Sequence, residues 1–158
     1  MKLVITFLVF LVTSVNLNLA FAASGAGLDN TGSSLYKSGK KFIIRAKKLE
    51  EKDKIKKAEK LYLKALDRLE KAYDKDKNNA DLLNYLGFAL RKTGNFEKAE
   101  KFYLEGLWLD AGHLGINEYL GELYVQTNRI ELAKERLQIL SGCKCEEYEE
   151  LKELIEKN

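Results

Sequence analysis

Proline is absent from the 158 residues, histidine and tryptophan occur once each, and cysteine occurs twice. Without proline nothing in the chain removes a helical amide or forces a kink, which suits long uninterrupted helices. Two thiols, Cys143 and Cys145, leave a tetrahedral ion short of ligands, and the single histidine, His113, falls in a different turn, so no metal site is expected. Phosphate-loop, dinucleotide-binding and zinc-protease motifs are all missing. No serine, cysteine or carboxylate pair is placed beside His113, so a nucleophile-base arrangement is not evident and a structural role at a helix start is the better reading of that residue. The chain is accordingly read as a non-enzyme without a cofactor. An excess of charge of one sign is also lacking. The 27 basic and 24 acidic residues are interleaved as on solvated helix faces, with a net charge of +3. No basic stripe carries interleaved aromatics, and nucleic acid is therefore not an expected partner.

What is present begins with a targeting segment. Lys2 precedes an apolar run from Leu3 to Val12, and Ala20-Phe21-Ala22 has the small-residue pattern of a cleavage site. Residues 1–22 read as a signal peptide. Thr13, Ser14, Asn16 and Asn18 make the run poor for a membrane span of about 20 residues, so no span is expected after cleavage. An uncleaved inner-membrane anchor is the competing reading. The Lys and Asn content has a bacterial cast, and the periplasm is the expected destination. Residues 23–38 are rich in Ser, Gly, Asn and Thr without apolar periodicity, the composition of a flexible leader.

Beyond the leader the chain nearly repeats itself. Leu86-Gly87 returns 34 residues later as Leu120-Gly121, Ala99 as Ala133, Tyr103 as Leu137, and Thr93-Gly94-Asn95 as Thr127-Asn128-Arg129. Within each copy apolar residues recur at helical spacing and a turn divides the copy into two helices. A third copy emerges between Gly39 and Asn79 once a seven-residue insertion is allowed. Phe42, Ala46 and Leu49 then hold the first-helix positions, and Lys52-Asp53-Lys54 the turn. Ile55, Ala58, Tyr62 and Ala65 hold the second-helix positions. The insertion adds almost two turns, so the second helix is expected from about Ile55 to Lys75. One helix bridging residues 40 to 75 is the alternative. Further helices are expected at 80–92, 96–109, 114–126, 130–141 and 146–157. Asn79 and Asn95 are candidate N-caps, and Gly94 a left-handed terminator. Gly87 and Gly121 are each costly in a helix and are tolerable if two helices cross closely there.

A 34-residue helix-turn-helix unit with a small residue in each helix resembles the tetratricopeptide repeat. Leu83, Leu86, Gly87 and Leu90 resemble its first-helix signature; Ala99, Tyr103 and Gly106 resemble the second. The resemblance implies an all-α fold: an α-solenoid of three repeats (39–79, 80–113, 114–142) and a C-terminal capping helix within 143–158. Arg91-Lys92-Thr93-Gly94, Glu118-Tyr119-Leu120-Gly121-Glu122-Leu123-Tyr124 and Cys145-Glu146-Glu147-Tyr148 are similar to small exported bacterial tetratricopeptide proteins without an assigned activity. In the family the first helix of each repeat lines a concave groove. That face would present Lys40, Ile43, Lys47 and Glu50, then Asp81, Asn84, Phe88 and Arg91, then Glu118, Glu122 and Val125. Asn84, Phe88, Arg91, Glu118 and Glu122 are the candidate partner-binding set, with Phe88 exposed for an apolar side chain. The competing reading has Phe88 packing between helices.

The implied function is a periplasmic interaction module whose groove holds a peptide or helix of another envelope protein. A thiol-redox or crosslinking protein using Cys143 and Cys145 is the alternative, and self-association through the repeat ends a third.

Overall fold

The computed structural model describes residues 30–158. The signal peptide and residues 23–29 of the expected leader lie outside the described residues. Seven helices and no strands make up the described chain: α1 (Asn30–Glu50), α2 (Ile55–Tyr73), α3 (Ala80–Lys92), α4 (Phe96–Leu109), α5 (Leu114–Gln126), α6 (Ile130–Leu140) and α7 (Glu146–Glu156). No helix among them is long and apolar enough to cross a membrane.

The pairs α1/α2, α3/α4 and α5/α6 pack as hairpins, and each hairpin packs on the next through α2/α3 and α4/α5. The backbones of α1 and α3, and of α3 and α5, also approach one another. No such backbone approach joins α2 to α4 or α4 to α6; across α2 and α4 it is long side chains that meet, Tyr73 with Phe102 and with Glu105. The first helices therefore line the tighter, inner side of a stack and the second helices its outer side. This is an α-solenoid of three repeats, with one core that runs from Ile43 through Leu86 and Tyr103 to Ala133.

The three hairpin turns are built alike. Asp53, Gly94 and Asn128 have positive φ (53°, 80° and 58°). The amides of the residues that follow, Lys54, Asn95 and Arg129, reach back to Leu49, Leu90 and Tyr124 at 2.8, 2.8 and 2.7 Å. This is the helix-ending bond that a left-handed residue permits, and Asp and Asn tolerate that conformation best after glycine. The turn at Asp53 separates α1 from α2 and removes the single-helix alternative. Asn79 caps α3 by accepting from the Leu82 amide at 3.0 Å. Asn95 makes no such side-chain bond to α4, and its expected capping role is corrected: it serves the turn through its backbone instead.

Two expectations change at the N-terminal end. α1 begins at Asn30, so the latter part of the expected flexible leader is helical. Tertiary contacts override its poor propensity: the Tyr36 ring lies 5.9 Å from Tyr85, and Gly39 is buried where a side chain would strike Leu69. α2 ends at Tyr73 rather than Lys75, and at 19 residues it exceeds the 14 of α4 by five, short of the two full turns expected.

At Gly87 an added Cβ would collide with the Tyr103 ring, and at Gly121 with Leu151 of α7. Leu151 is fully buried, and Leu154 and Ile155 pack on the core beside it. α7 contacts both α5 and α6, closing the apolar end of the stack. The outer side carries the sole tryptophan, Trp108 on α4, which is 85% exposed. Gly121→Ala should destabilise the protein by about 1–3 kcal/mol through overpacking, outweighing the roughly 1 kcal/mol that alanine adds to helix propensity. The readout is the midpoint of chemical denaturation followed by far-ultraviolet circular dichroism; an unchanged or raised midpoint would show that α7 does not depend on this crossing.

Candidate partner-binding face

The inner helices bring the expected groove residues together, and shut most of them in. Phe88 is 4% exposed, its ring 5.8 Å from Tyr62 and 4.7 Å from Tyr119. The expectation of an exposed Phe88 is corrected: the first helices stack closely enough for their aromatic residues to interlock, so a position on the inner wall is also a core position. Ile43 and Val125 are buried for the same reason. Arg91 is also buried. Its Nη2 pairs with Glu122 Oε2 at 2.5 Å, and its guanidinium lies 5.5 and 5.7 Å from the Phe88 and Tyr119 ring centres. This ion pair ties α3 to α5. Lys47 extends from α1 over the same two rings, at 5.7 and 5.9 Å. Glu50 accepts from Tyr62 at 2.8 Å and from Lys92 at 2.9 Å.

Glu118, 3% exposed, is covered by α7. Its carboxyl oxygen, with those of Glu122 and Glu150, falls in a group whose members all lie within 4.8 Å of one another. Burial first, then the hydrogen bond to Glu150 and the charges of Glu122, Glu150 and Glu147, push its pKa up to about 9. At neutral pH Glu118 is therefore protonated and shares its proton with Glu150, while Arg91 neutralises Glu122. Nothing in the spacing of Glu118 and Glu122 foretold the share of α7, because Glu147 and Glu150 come from the helix treated only as a lid.

Between α3 and α5 an open cavity of about 450 Å³ remains, lined by Asp81, Asn84 and Tyr85 on one side and by Gly115, Glu118 and Tyr119 on the other, with Asp110 and His113 at the turn and Glu147 from α7. His113 caps α5: its Nδ1 accepts from the Ile116 amide at 3.2 Å, leaving Nε2 to donate to Asp81 Oδ1 at 3.3 Å. Asn84 is 6% exposed, and its Oδ1 has no hydrogen-bond partner. Asp81, His113 and the tyrosines belong to this surface with equal right, and the alternation of Asp81, Asn84 and Tyr85 along one helix edge was the signal for them.

Cys143 and Cys145 form a disulfide in the loop between α6 and α7, with both residues partly exposed. Cys145 immediately precedes α7, so the bridge restrains the start of the capping helix.

Repeated hairpins with glycine-notched crossings, stacked with their first helices inward, define an all-α solenoid. Residues 49–107 match the family model described as tetratricopeptide repeat. A 60-residue stretch is 37% identical to human protein O-mannosyl-transferase TMTC3, and a 54-residue stretch is 39% identical to the mouse protein of that name. These stretches cover 38% and 34% of this chain but only 7% and 6% of those proteins. Among solved structures, the first tetratricopeptide domain of Spaghetti (RPAP3) bound to an HSP90 peptide has a TM-score of 0.54 at 18% identity, covering 77% of this chain and 94% of that one. The second such domain of human RPAP3, in complex with an HSP70 peptide, gives 0.51 at 18% identity over 80% and 99%. The translocator chaperone SycD of Yersinia enterocolitica gives 0.51 at 17% identity over 81% and 88%. At such identities the likeness is one of fold.

Two substitutions separate architecture from surface. Arg91→Ala leaves Glu122 without its buried partner and should cost about 3–5 kcal/mol, read as a lowered denaturation midpoint. Glu118 holds a proton in the folded state that it releases in the unfolded chain between its ordinary pKa of 4.5 and about 9. Its contribution to stability is thus fully present below pH 4.5 and is lost as pH rises through 9. Glu118→Gln, which cannot ionise, should gain stability relative to the unmodified protein at pH 8 and show no such gain at pH 5. Denaturation midpoints of both proteins at both pH values check this; equal differences would place Glu118 in the ionised state throughout.

Proposed function

We propose that the chain is a non-enzymatic interaction module, exported to the periplasm, that holds a peptide or helix of an envelope partner against the inner face of α1, α3 and α5. The observation that carries this reading is the open cavity between α3 and α5, on the side where the first helices converge, with Tyr85 and Tyr119 in its walls. A concave site in which polar groups converge between aromatic side chains is a form that binding sites take, and this cavity is a polar example of it. Domains of the same fold bind HSP90 and HSP70 peptides. Phe88 and Arg91 contribute by fixing the spacing of the wall; the groups free to meet a partner are Lys40, whose Nζ lies 5.2 Å from the Tyr85 ring centre, and the rim residues Asp81, Tyr85 and Tyr119. Export is supported by the composition of residues 1–22, and an oxidising compartment by the Cys143–Cys145 bridge.

Selection of random seven-residue peptides displayed against the exported chain tests the module. Binders should emerge whose affinity falls by about tenfold, or roughly 1.4 kcal/mol, in a Lys40→Glu, Tyr85→Ala double variant that retains native helicity. Failure to enrich any binder, or binders indifferent to both substitutions, would overturn the reading.

The disulfide favours a second reading, thiol-redox chemistry. If the bridge is only a brace, a Cys143→Ser, Cys145→Ser variant should lose about 1–2 kcal/mol of stability, the loop-entropy value for so short a ring, and cause no redox phenotype in cells. A redox phenotype without lost stability would favour the second reading.

A further inference from the structure

The charge balance of the whole chain conceals a difference between the two ends of the stack. The first hairpin, residues 30–73, carries fourteen lysines and arginines against six acidic residues, whereas α7 carries six glutamates against one lysine. Among the described helices the backbone of α1 approaches only α2 and α3, and that of α7 only α5 and α6. On α1, Gly39, Ile43 and Ala46 face the core. Lys41, Arg45 and Lys48 stand on the opposite side, all exposed, with Ile44 46% exposed among them. On α7, Leu151 faces the core, and Glu149, Glu153 and Glu156 stand opposite, again all exposed. Each set has the spacing i, i+4, i+7, which is one helix face about 10 Å long.

Neither set is matched on its own helix. Exposed lysines elsewhere pair with an acid about one turn away, as Lys71 does with Asp67, Lys101 with Glu97 and Lys134 with Glu131. Among the described residues Lys41, Arg45, Lys48, Glu149 and Glu156 have no ion pair, and Glu153 meets only the exposed Lys157. Like charges four residues apart, Lys41 with Arg45 and Glu149 with Glu153, destabilise their own helices. The helix dipole accounts for Lys48 and Glu149, but Glu153 and Glu156 stand at the carboxyl end of α7, where negative charge is unfavourable. Solubility alone is served by charges of mixed sign, so a single sign at each end calls for another reason.

We propose that the basic face of α1 docks on the acidic face of α7 of a second copy of this chain, Lys41, Arg45 and Lys48 of one meeting Glu149, Glu153 and Glu156 of the next. Equal spacing lets these ion pairs form together along two parallel helix faces, and a network of charges holds better than isolated pairs. The contact is heterologous: each copy keeps one free end of each sign, so association continues beyond a dimer unless the rotation closes a ring. It uses the ends of the stack and leaves the inner wall open, so it goes beyond the peptide-binding reading and does not rest on it.

Sedimentation velocity of the exported chain tests this over about a hundredfold range of concentration, at about 50 mM and about 500 mM salt. The sedimentation coefficient should rise with concentration at low salt and fall back to the monomer value at high salt. Reversing the basic face (Lys41→Glu, Arg45→Glu, Lys48→Glu) or the acidic face (Glu149→Lys, Glu153→Lys, Glu156→Lys) should lower the association constant about tenfold or more, with helicity retained. Mixing the two reversed variants should restore association, because each then offers the end that the other lacks. The milder Glu153→Gln, Glu156→Gln variant should weaken association in the same direction should the lysine variant fail to fold. A chain that is monomeric at every concentration, association indifferent to salt or to either reversal, or a mixture that stays monomeric would each overturn the proposal. Binding to phosphatidylglycerol vesicles by a monomeric chain, lost on reversal of the α1 face, would give that face to a lipid surface and overturn it as well. Peptide selection is read on the inner wall, so failure there and failure here are separable.

Discussion

Two helix crossings in this protein depend on a side chain that is missing from one partner. Tyr103 fits against Gly87, and Leu151 against Gly121; a methyl group at either glycine would overlap the partner. Each contact trades helix propensity for a fully buried large side chain, worth roughly 1.5–3 kcal/mol. The first seats α4 on α3 within a repeat. The second seats the terminal helix on α5 and converts an open-ended stack into a closed one. Curvature follows from the same geometry, since close approach among α1, α3 and α5 draws the inner side tight while α2, α4 and α6 fan outward.

That tightness decides the chemistry of the inner wall. Helices packed so near one another cannot leave their facing polar residues in water, and Arg91, Asn84, Asn117 and Glu118 are all buried. Three of the four find internal answers, although the Nε of Arg91 has no partner. Arg91 takes Glu122, Asn117 donates to the carbonyls of Ala111 and His113, and Glu118 keeps a proton. Asn84 is left with an unanswered oxygen, on the helix face that lines the cavity between α3 and α5.

The solenoid was readable because its determinants are local. Period, turn residues and glycine positions fall at fixed offsets, and the limits of α3, α4 and α5 agree with those expected from apolar spacing. Asp53 takes the left-handed turn position of Gly94 and Asn128, the place the seven-residue offset assigns to it. The missed features are those set by distant residues. Residues 30–38 have the composition of a linker, yet Tyr36 finds Tyr85 and the segment becomes helical. Helical spacing assigned Phe88 to the inner face correctly but could not say how near the next helix would stand. The same spacing put Glu118 on that face and was silent about Glu147 and Glu150, which arrive from a helix thirty residues further along the chain.

Trp108 stands almost wholly in water on the outer face of α4. An indole so placed has nearly the same surroundings whether the chain is ordered or not, so its emission is a poor witness to denaturation in this protein. The buried tyrosines experience the larger change. What the lone indole does offer is an optical label for anything that settles on α4, two residues from the Asp110 at the mouth of the cavity.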